Sequence, residues 1–230
     1  MMGQRVEPHY RGAEWILGEL APSHLNSTQI GPCRPLGHGS NSTSPMKATR
    51  SQILFFGTYL ILFAICAIGP HERTVWFVEN LPIVLLVGAI ALIGRHHNFS
   101  PLSYGLMFFL VALHTIGGHY TFELVPFDWV TDTFGFERNH YDRMAHFTVG
   151  FYAFPIAEIL RRRNLVNSSW LLYLFPLFSM MSLAAAYELF EWQYALLADS
   201  SAGAAVLGSQ GDVWDAQQDI LCDTLGAIFA

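Results

Sequence analysis

The chain has 230 residues, of which 52% are hydrophobic and only 13% charged, with a formal net charge of -6. Soluble domains carry about 25% charged residues, so half the usual charge is missing and the composition points to a bilayer rather than a large water-soluble core. The negative balance weighs against nucleic acid as a partner, which needs a basic surface.

Residues 1–45 differ from everything after them, mixing Gly, Pro, Ser, Asn, His and scattered charges with no apolar run long enough to span a membrane. They read as a flexible, disordered N-terminal tail without a signal-peptide pattern. Met46-Lys47-Ala48-Thr49-Arg50 then reads as a natural start, a short basic segment leading into a hydrophobic helix. Residues 46–230 are expected to form one domain, an all-α polytopic membrane bundle.

A span needs ~20 mostly apolar residues. Six stretches meet or approach that, at about 52–69, 75–94, 102–122, 140–160, 168–189 and 213–230. The second contains Pro82 and the fourth Pro155, which packed membrane helices tolerate. The last is the shortest reading, roughly 27 Å at the usual helical rise against a ~30 Å hydrocarbon core. Cys33, Cys66 and Cys222 are far apart and lack CxxC spacing, so they read as small buried residues rather than a redox pair.

Orientation follows from the Lys/Arg bias. With the N-terminus in the cytoplasm, Lys47, Arg50, Arg95 and the run Arg161-Arg162-Arg163 collect at inner ends, while Arg73, Arg138 and Arg143 stay outside. The acids sort the opposite way, from Glu72 and Glu79 through Glu123, Asp142, Glu188 and Glu191 to Asp212, Asp215 and Asp219. Trp76, Trp129, Trp192 and Trp214 lie near the outer boundaries and read as interface anchors.

Four spans bring polar groups to one depth. His119 and Glu123, Asp142 and His146, Asp215 and Asp219, and Asp219 and Asp223 are i,i+4 pairs, while Glu188 and Glu191 are i,i+3. Each pair shares a helix face. His119, His146, Glu188 and Asp219 lie within about two turns, ~10 Å, of the outer boundary, close enough to meet in one pocket. Bundles build metal sites in this way, from carboxylates and histidines on facing helices, and carboxylates inside a membrane are costly without compensation. Bland roles compete for several members. Asp212 fits a helix N-cap, Asn139 a cap for the fourth span, Glu123 and Glu191 solvated helix ends, and Arg143 a simple partner for Asp142 or Glu188.

The strings His114 with His119-Tyr120, Tyr141-Asp142-Arg143 with His146-Phe147, Tyr187-Glu188-Leu189-Phe190-Glu191-Trp192 and Gly211-Asp212-Val213-Trp214-Asp215-Ala216-Gln217-Gln218-Asp219 carry a resemblance. From about His71 to Ala227 the chain resembles the YjdF-like family of bacterial inner-membrane proteins, whose function is uncharacterised. More remotely, Asp142-x-x-x-His146, Glu188 and Asp215-x-x-x-Asp219 with Gly226 look like the pattern of VanZ-like membrane proteins, linked to glycopeptide resistance. That pattern has Gln soon after its Glu, where this chain has Glu191. The YjdF-like resemblance implies a multi-pass protein of the bacterial inner membrane.

The leading expectation is a membrane-embedded enzyme, dependent on a divalent metal (Zn, Mn or Fe), acting on a lipid or lipid-linked substrate at the outer leaflet. His119, His146, Glu188 and Asp219 are the expected ligands, with Asp142 or Asp215 orienting them or serving as general base. Arg143 would hold a phosphate or carboxylate. A transporter or proton/cation-coupled permease is the alternative, and a non-catalytic assembly or regulatory protein the second.

Overall fold

The structure, a computed structural model, describes residues 47–230; the tail expected over 1–45 lies outside the described residues. Among the described residues every regular element is helical: α1 (Arg50–Cys66), α2 (Arg73–Gly94), α3 (Pro101–Tyr120), α4 (Asp128–Phe134), α5 (Tyr141–Val149), α6 (Ala153–Arg162), α7 (Ser169–Leu197), α8 (Ser200–Leu207) and α9 (Asp215–Phe229). Helices α2, α3 and α7 are long and apolar enough to cross a membrane, and α1 is a shorter apolar helix. The six expected spans are all present as helix, the fourth in two pieces and the sixth as α9.

Local chemistry sets the boundaries. Thr49 and Gln52 form a capping box at α1, with Gln52 N–H donating to Thr49 Oγ1 at 3.2 Å and Thr49 N–H to Gln52 Oε1 at 2.8 Å. Ser100 caps α3, which starts with Pro101, where a missing N–H costs nothing. Ser100 also donates its N–H and hydroxyl to Glu158 at the far end of α6, each at 2.8 Å. The fourth expected span is interrupted by a 3-10 turn at Gly150–Tyr152, which follows directly on Val149 at the end of α5. Pro155 has no N–H for the Phe151 carbonyl, and a tighter turn at that point accommodates the lost bond.

The expected end of the fifth span near 189 is extended to Leu197. Nothing between Leu189 and Ala195 breaks a helix, so the amphipathic segment runs on until Ala198 adopts extended backbone. Asp199 then caps α8, accepting from the Ala202 N–H at 3.0 Å. That donation, followed by the Ser201 hydroxyl, draws its carboxyl below the ordinary value.

The main core joins α1, α2, α3 and the α5–α6 junction through Phe55, Tyr59, Ile83, Ile90, Met107, Val111 and Tyr152, with Met180 from α7. Leu81, Leu85, Leu92, Phe109 and Leu171 are exposed on the outside of the bundle, as lipid-facing residues are. At the end bearing the acids, a smaller cluster packs Phe122, Val125, Tyr141 and Ala145.

Two glycines set the closest helix contact. A Cβ on Gly226 of α9 would collide with the Phe147 carbonyl, and one on Gly150 with the backbone of Asp223 and Ala227. Small residues let membrane helices approach backbone to backbone, and here they press the polar face of α9 onto α5.

Candidate metal centre and its cavity

The site begins with how α5 and α9 start. Asn139 Oδ1 accepts from the Tyr141 N–H at 2.9 Å, and its Nδ2 donates to the carbonyls of Glu123 at 3.1 Å and Val125 at 2.8 Å. The N-cap position of α5 is His140, not the Asn139 expected from the sequence; Asn139 sits one residue earlier, turns the chain into α5 and ties it to the segment after α3. Asp212 likewise accepts from the Trp214 N–H at 2.9 Å, turning the chain into α9.

With α5 and α9 in contact, their i,i+4 rows meet. His146 Nε2 lies 3.6 Å from Asp142 Oδ1 and 3.9 Å from Asp219 Oδ1. Among the described residues, Asp142, His146 and Asp219 each offer one ligand atom, all within 4.8 Å of one another. The other ring nitrogen, Nδ1, is 3.3 Å from Asp223 Oδ2 and donates to it. A metal-binding histidine almost always has its second nitrogen held by a carboxylate or carbonyl in this manner. Asp223 is fully buried, and its Oδ1 has no hydrogen-bond partner.

Beside this group lies a lattice of ion pairs. Arg143 binds Asp215 at 2.6 Å through Nη2 and Asp219 through Nη1. Arg138 reaches the same Asp215 Oδ1 at 2.7 Å and the Ser209 carbonyl at 3.2 Å. Asp212 lies 3.5 Å from Arg143 and 3.6 Å from Arg138. Glu188 stands within electrostatic reach of His146, Asp219 and Asp142, and its buried Oε1 has no hydrogen-bond partner. Six carboxylates (Asp142, Glu188, Asp212, Asp215, Asp219 and Asp223) thus face two guanidiniums and one imidazole. Such an excess, largely buried, calls for protons or a cation.

A second polar group sits across from the first. His114 Nε2 is 3.2 Å from Glu79 Oε2, which also accepts from the Tyr187 hydroxyl at 3.0 Å. Glu79 is 1% exposed. Between the two groups is a cavity of about 170 Å³. Its polar lining is His114, Asp142, His146, Tyr187, Glu191 and Asp223, and the rest is apolar, including Ile83, Leu86, Leu110 and Leu183.

The expected site residues are distributed as follows. His146, Asp219 and Asp142 come together, with Glu188 nearby. Asp215 and Arg143 are paired with each other rather than facing the cavity. His119 is engaged elsewhere: its Nδ1 donates to the Cys66 carbonyl at 2.8 Å and its own carbonyl accepts from His71 N–H at 2.9 Å, pinning the α1–α2 turn.

Sequence reasoning passed over Glu79, Arg138 and Tyr187 as site residues. Glu79 carried a usable signal, since it lies within Val75-Trp76-Phe77-Val78-Glu79-Asn80-Leu81 and an ionisable group inside a span marks a site. Arg138 precedes α5 and shares no helix face with Arg143, so its convergence on Asp215 has no sequence signal.

The helices and the buried acid–histidine group define a multi-pass integral membrane protein built around an internal polar site. The family model described as "Predicted membrane protein (DUF2238)" matches residues 51–230, and the chain belongs to that family. It is 32% identical over 173 residues to "Inner membrane protein YjdF" of Escherichia coli (strain K12), covering 74% of this chain and 82% of that protein. The VanZ-like likeness rests on its short motif alone. No solved structure matches.

Proposed function

We propose that the protein is an inner-membrane enzyme that uses a divalent metal to act on a lipid or lipid-linked substrate. The observation that carries this reading is His146, with Nε2 facing Asp142 and Asp219, Nδ1 fixed by Asp223, and the group opening on an apolar cavity. Bonds of 2.0–2.2 Å to a shared ion place ligand atoms up to about 4 Å apart, near the separations of 3.6 and 3.9 Å.

In this assignment Asp142, His146 and Asp219 hold the ion, and mixed imidazole and carboxylate donors suit Zn, Mn or Fe. A metal so bound, with positions left open, lowers the pKa of a coordinated water and polarises an ester or phosphoryl oxygen. Asp223 fixes the imidazole tautomer. Glu188 offers a free carboxylate oxygen as proton acceptor or further ligand. Asp215 holds Arg138 and Arg143 beside the site, where they neutralise part of the carboxylate charge.

An apolar layer supports a pocket over a transport path. From Tyr104 to Leu113 in α3, from Phe147 to Ala157 in α5 and α6, and from Leu81 to Gly94 in α2 there is no Asp, Glu, His, Lys or Arg.

The test is metal analysis of the detergent-purified protein and of His146→Ala and Asp219→Asn, with lipid analysis of a strain lacking the gene. Stoichiometric Zn, Mn or Fe, lost in both variants while helical content persists, is the expected result. A protein that folds, binds none of these ions and leaves the lipid profile unchanged when deleted would remove the basis of the proposal.

A further inference from the structure

The cavity has one side that is not closed by packed helices. α2 packs mainly on α3 and α8, and α7 mainly on α6, α8 and α9, while α2 and α7 have no extensive contact with each other and are joined by the Tyr187–Glu79 hydrogen bond. Both nevertheless line the cavity, α2 through Pro82, Ile83 and Leu86, and α7 through Leu183, Ala184 and Tyr187. Leu183 is 55% exposed although it lines the cavity, whereas Ala184 beside it is 2% exposed. The interior and the outer surface of the bundle therefore meet between α2 and α7. Because both helices are long and apolar enough to cross a membrane, the medium outside that gap is hydrocarbon.

We infer that the gap between α2 and α7 is a lateral portal, through which the hydrocarbon chain of a membrane lipid enters so that its polar head reaches the buried acid–histidine group. Size supports this. A 150 Å³ apolar cavity holds about one benzene, and the present cavity of about 170 Å³ is comparable. It has room for a chain segment or part of a headgroup, not for a whole two-chain lipid. A lipid using it must leave most of its length in the bilayer, which requires an opening to the side.

Chemistry along the gap is graded in the same sense. Leu183 and Leu86 lie at the apolar side with Ile83 buried behind them, and His114 and Tyr187, both bound to Glu79, line the cavity with Asp142 and His146 at the polar end. The Tyr187 hydroxyl donating to Glu79 Oε2 at 3.0 Å joins α7 to α2. It acts as a latch at the polar end of the portal. The portal rests on the proposed function only for what happens to the head; entry of the chain does not require the metal.

The experiment reconstitutes the full-length protein in phosphatidylethanolamine/phosphatidylglycerol vesicles doped with a phospholipid carrying a diazirine in its acyl chain. After irradiation, adducts are mapped by mass spectrometry. Adducts on Ala184 and Leu86, lost in Leu183→Trp while those on outward-facing Leu85 persist, are expected, together with a gain at Ala184 in Tyr187→Phe. Adducts confined to Leu85 and Leu183, or Ala184 labelling that Leu183→Trp leaves unchanged, overturn the portal. Metal content measured on the same preparations separates the two ideas. Loss of metal with Ala184 still labelled sinks the metal centre and keeps the portal, whereas bound metal with no Ala184 adduct does the reverse.

Discussion

Asp223 fixes the His146 ring through Nδ1, the nitrogen opposite the one that faces Asp142 and Asp219. Removing its charge while keeping its shape is therefore a selective probe. Asp223→Asn is expected to weaken metal binding 10- to 100-fold, the usual effect of losing such a partner, with the bundle intact. A competition titration with a chromogenic chelator measures it, and unchanged affinity would show that Asp223 does not orient the ring. Arg143 predicts a different outcome. It is 8% exposed and pairs with Asp215 and Asp219, so Arg143→Ala leaves Asp219 buried without its guanidinium and Asp215 with Arg138 alone. The expected cost is about 3–5 kcal/mol, read as a large drop in thermal midpoint in detergent. At this scale the sequence was legible wherever spacing sufficed: Asp142 and His146, or Asp219 and Asp223, share a face by arithmetic alone. It was not legible for His119. One residue of rotation decides whether a ring on α3 looks toward α5 or toward the end of α1, and its hydrogen bond to the Cys66 carbonyl settles that in favour of α1.

Among the elements, α5 and α9 matter most, and glycine is what brings them together. Gly226→Val is expected to push α9 off the Phe147 carbonyl. Overpacking of this kind costs about 1–3 kcal/mol and occasionally more, and it should also release bound metal by separating Asp219 from His146. Gly88→Val on α2, where a Cβ meets nothing within 4 Å, is the matched control and should lose neither stability nor metal. Equal behaviour of the two variants would refute the close-contact account. Hydropathy located the helical regions, α2, α3 and α7 among them as helices long and apolar enough to span, because lipid-facing and core-facing positions are both apolar in a membrane. That same uniformity hid the helix faces: α1 after Gln52 and α2 after Asn80 are apolar all round, and nothing in the periodicity of those stretches says which side packs. The extra two turns of α7 escaped for the opposite reason, since Glu188, Glu191 and Trp192 looked like a boundary although the helix continues through them.

For the molecule as a whole, charge layout sets the expected topology. Arg161, Arg162 and Arg163 should face the cytoplasm, and the loops at 124–139 and 193–211, with α4 and α8 inside them, the opposite side. Single cysteines introduced at Asp132 and Ser201, on a background lacking native cysteines, test this with a membrane-impermeant maleimide on intact cells. Labelling of either only after lysis would invert the arrangement. The existence of a polar site at one end of the bundle was legible from the sorting of acids. Its division into two facing groups with a cavity between them was not, because it depends on Glu79 and Tyr187 pairing from helices more than a hundred residues apart in sequence.

The three aspartates on the buried face of α9 also constrain how the protein is made. A charged residue at the centre of a span disfavours insertion by about 2.5–3.5 kcal/mol, so Asp215, Asp219 and Asp223 together would hold this 15-residue helix out of the bilayer if it arrived alone. Translation supplies the remedy in advance, since Arg138, Arg143 and His146 are synthesised 76 or 77 residues before their acidic partners. Docking of α9 against α5 and completion of the site are then a single step, one that follows the insertion of α5.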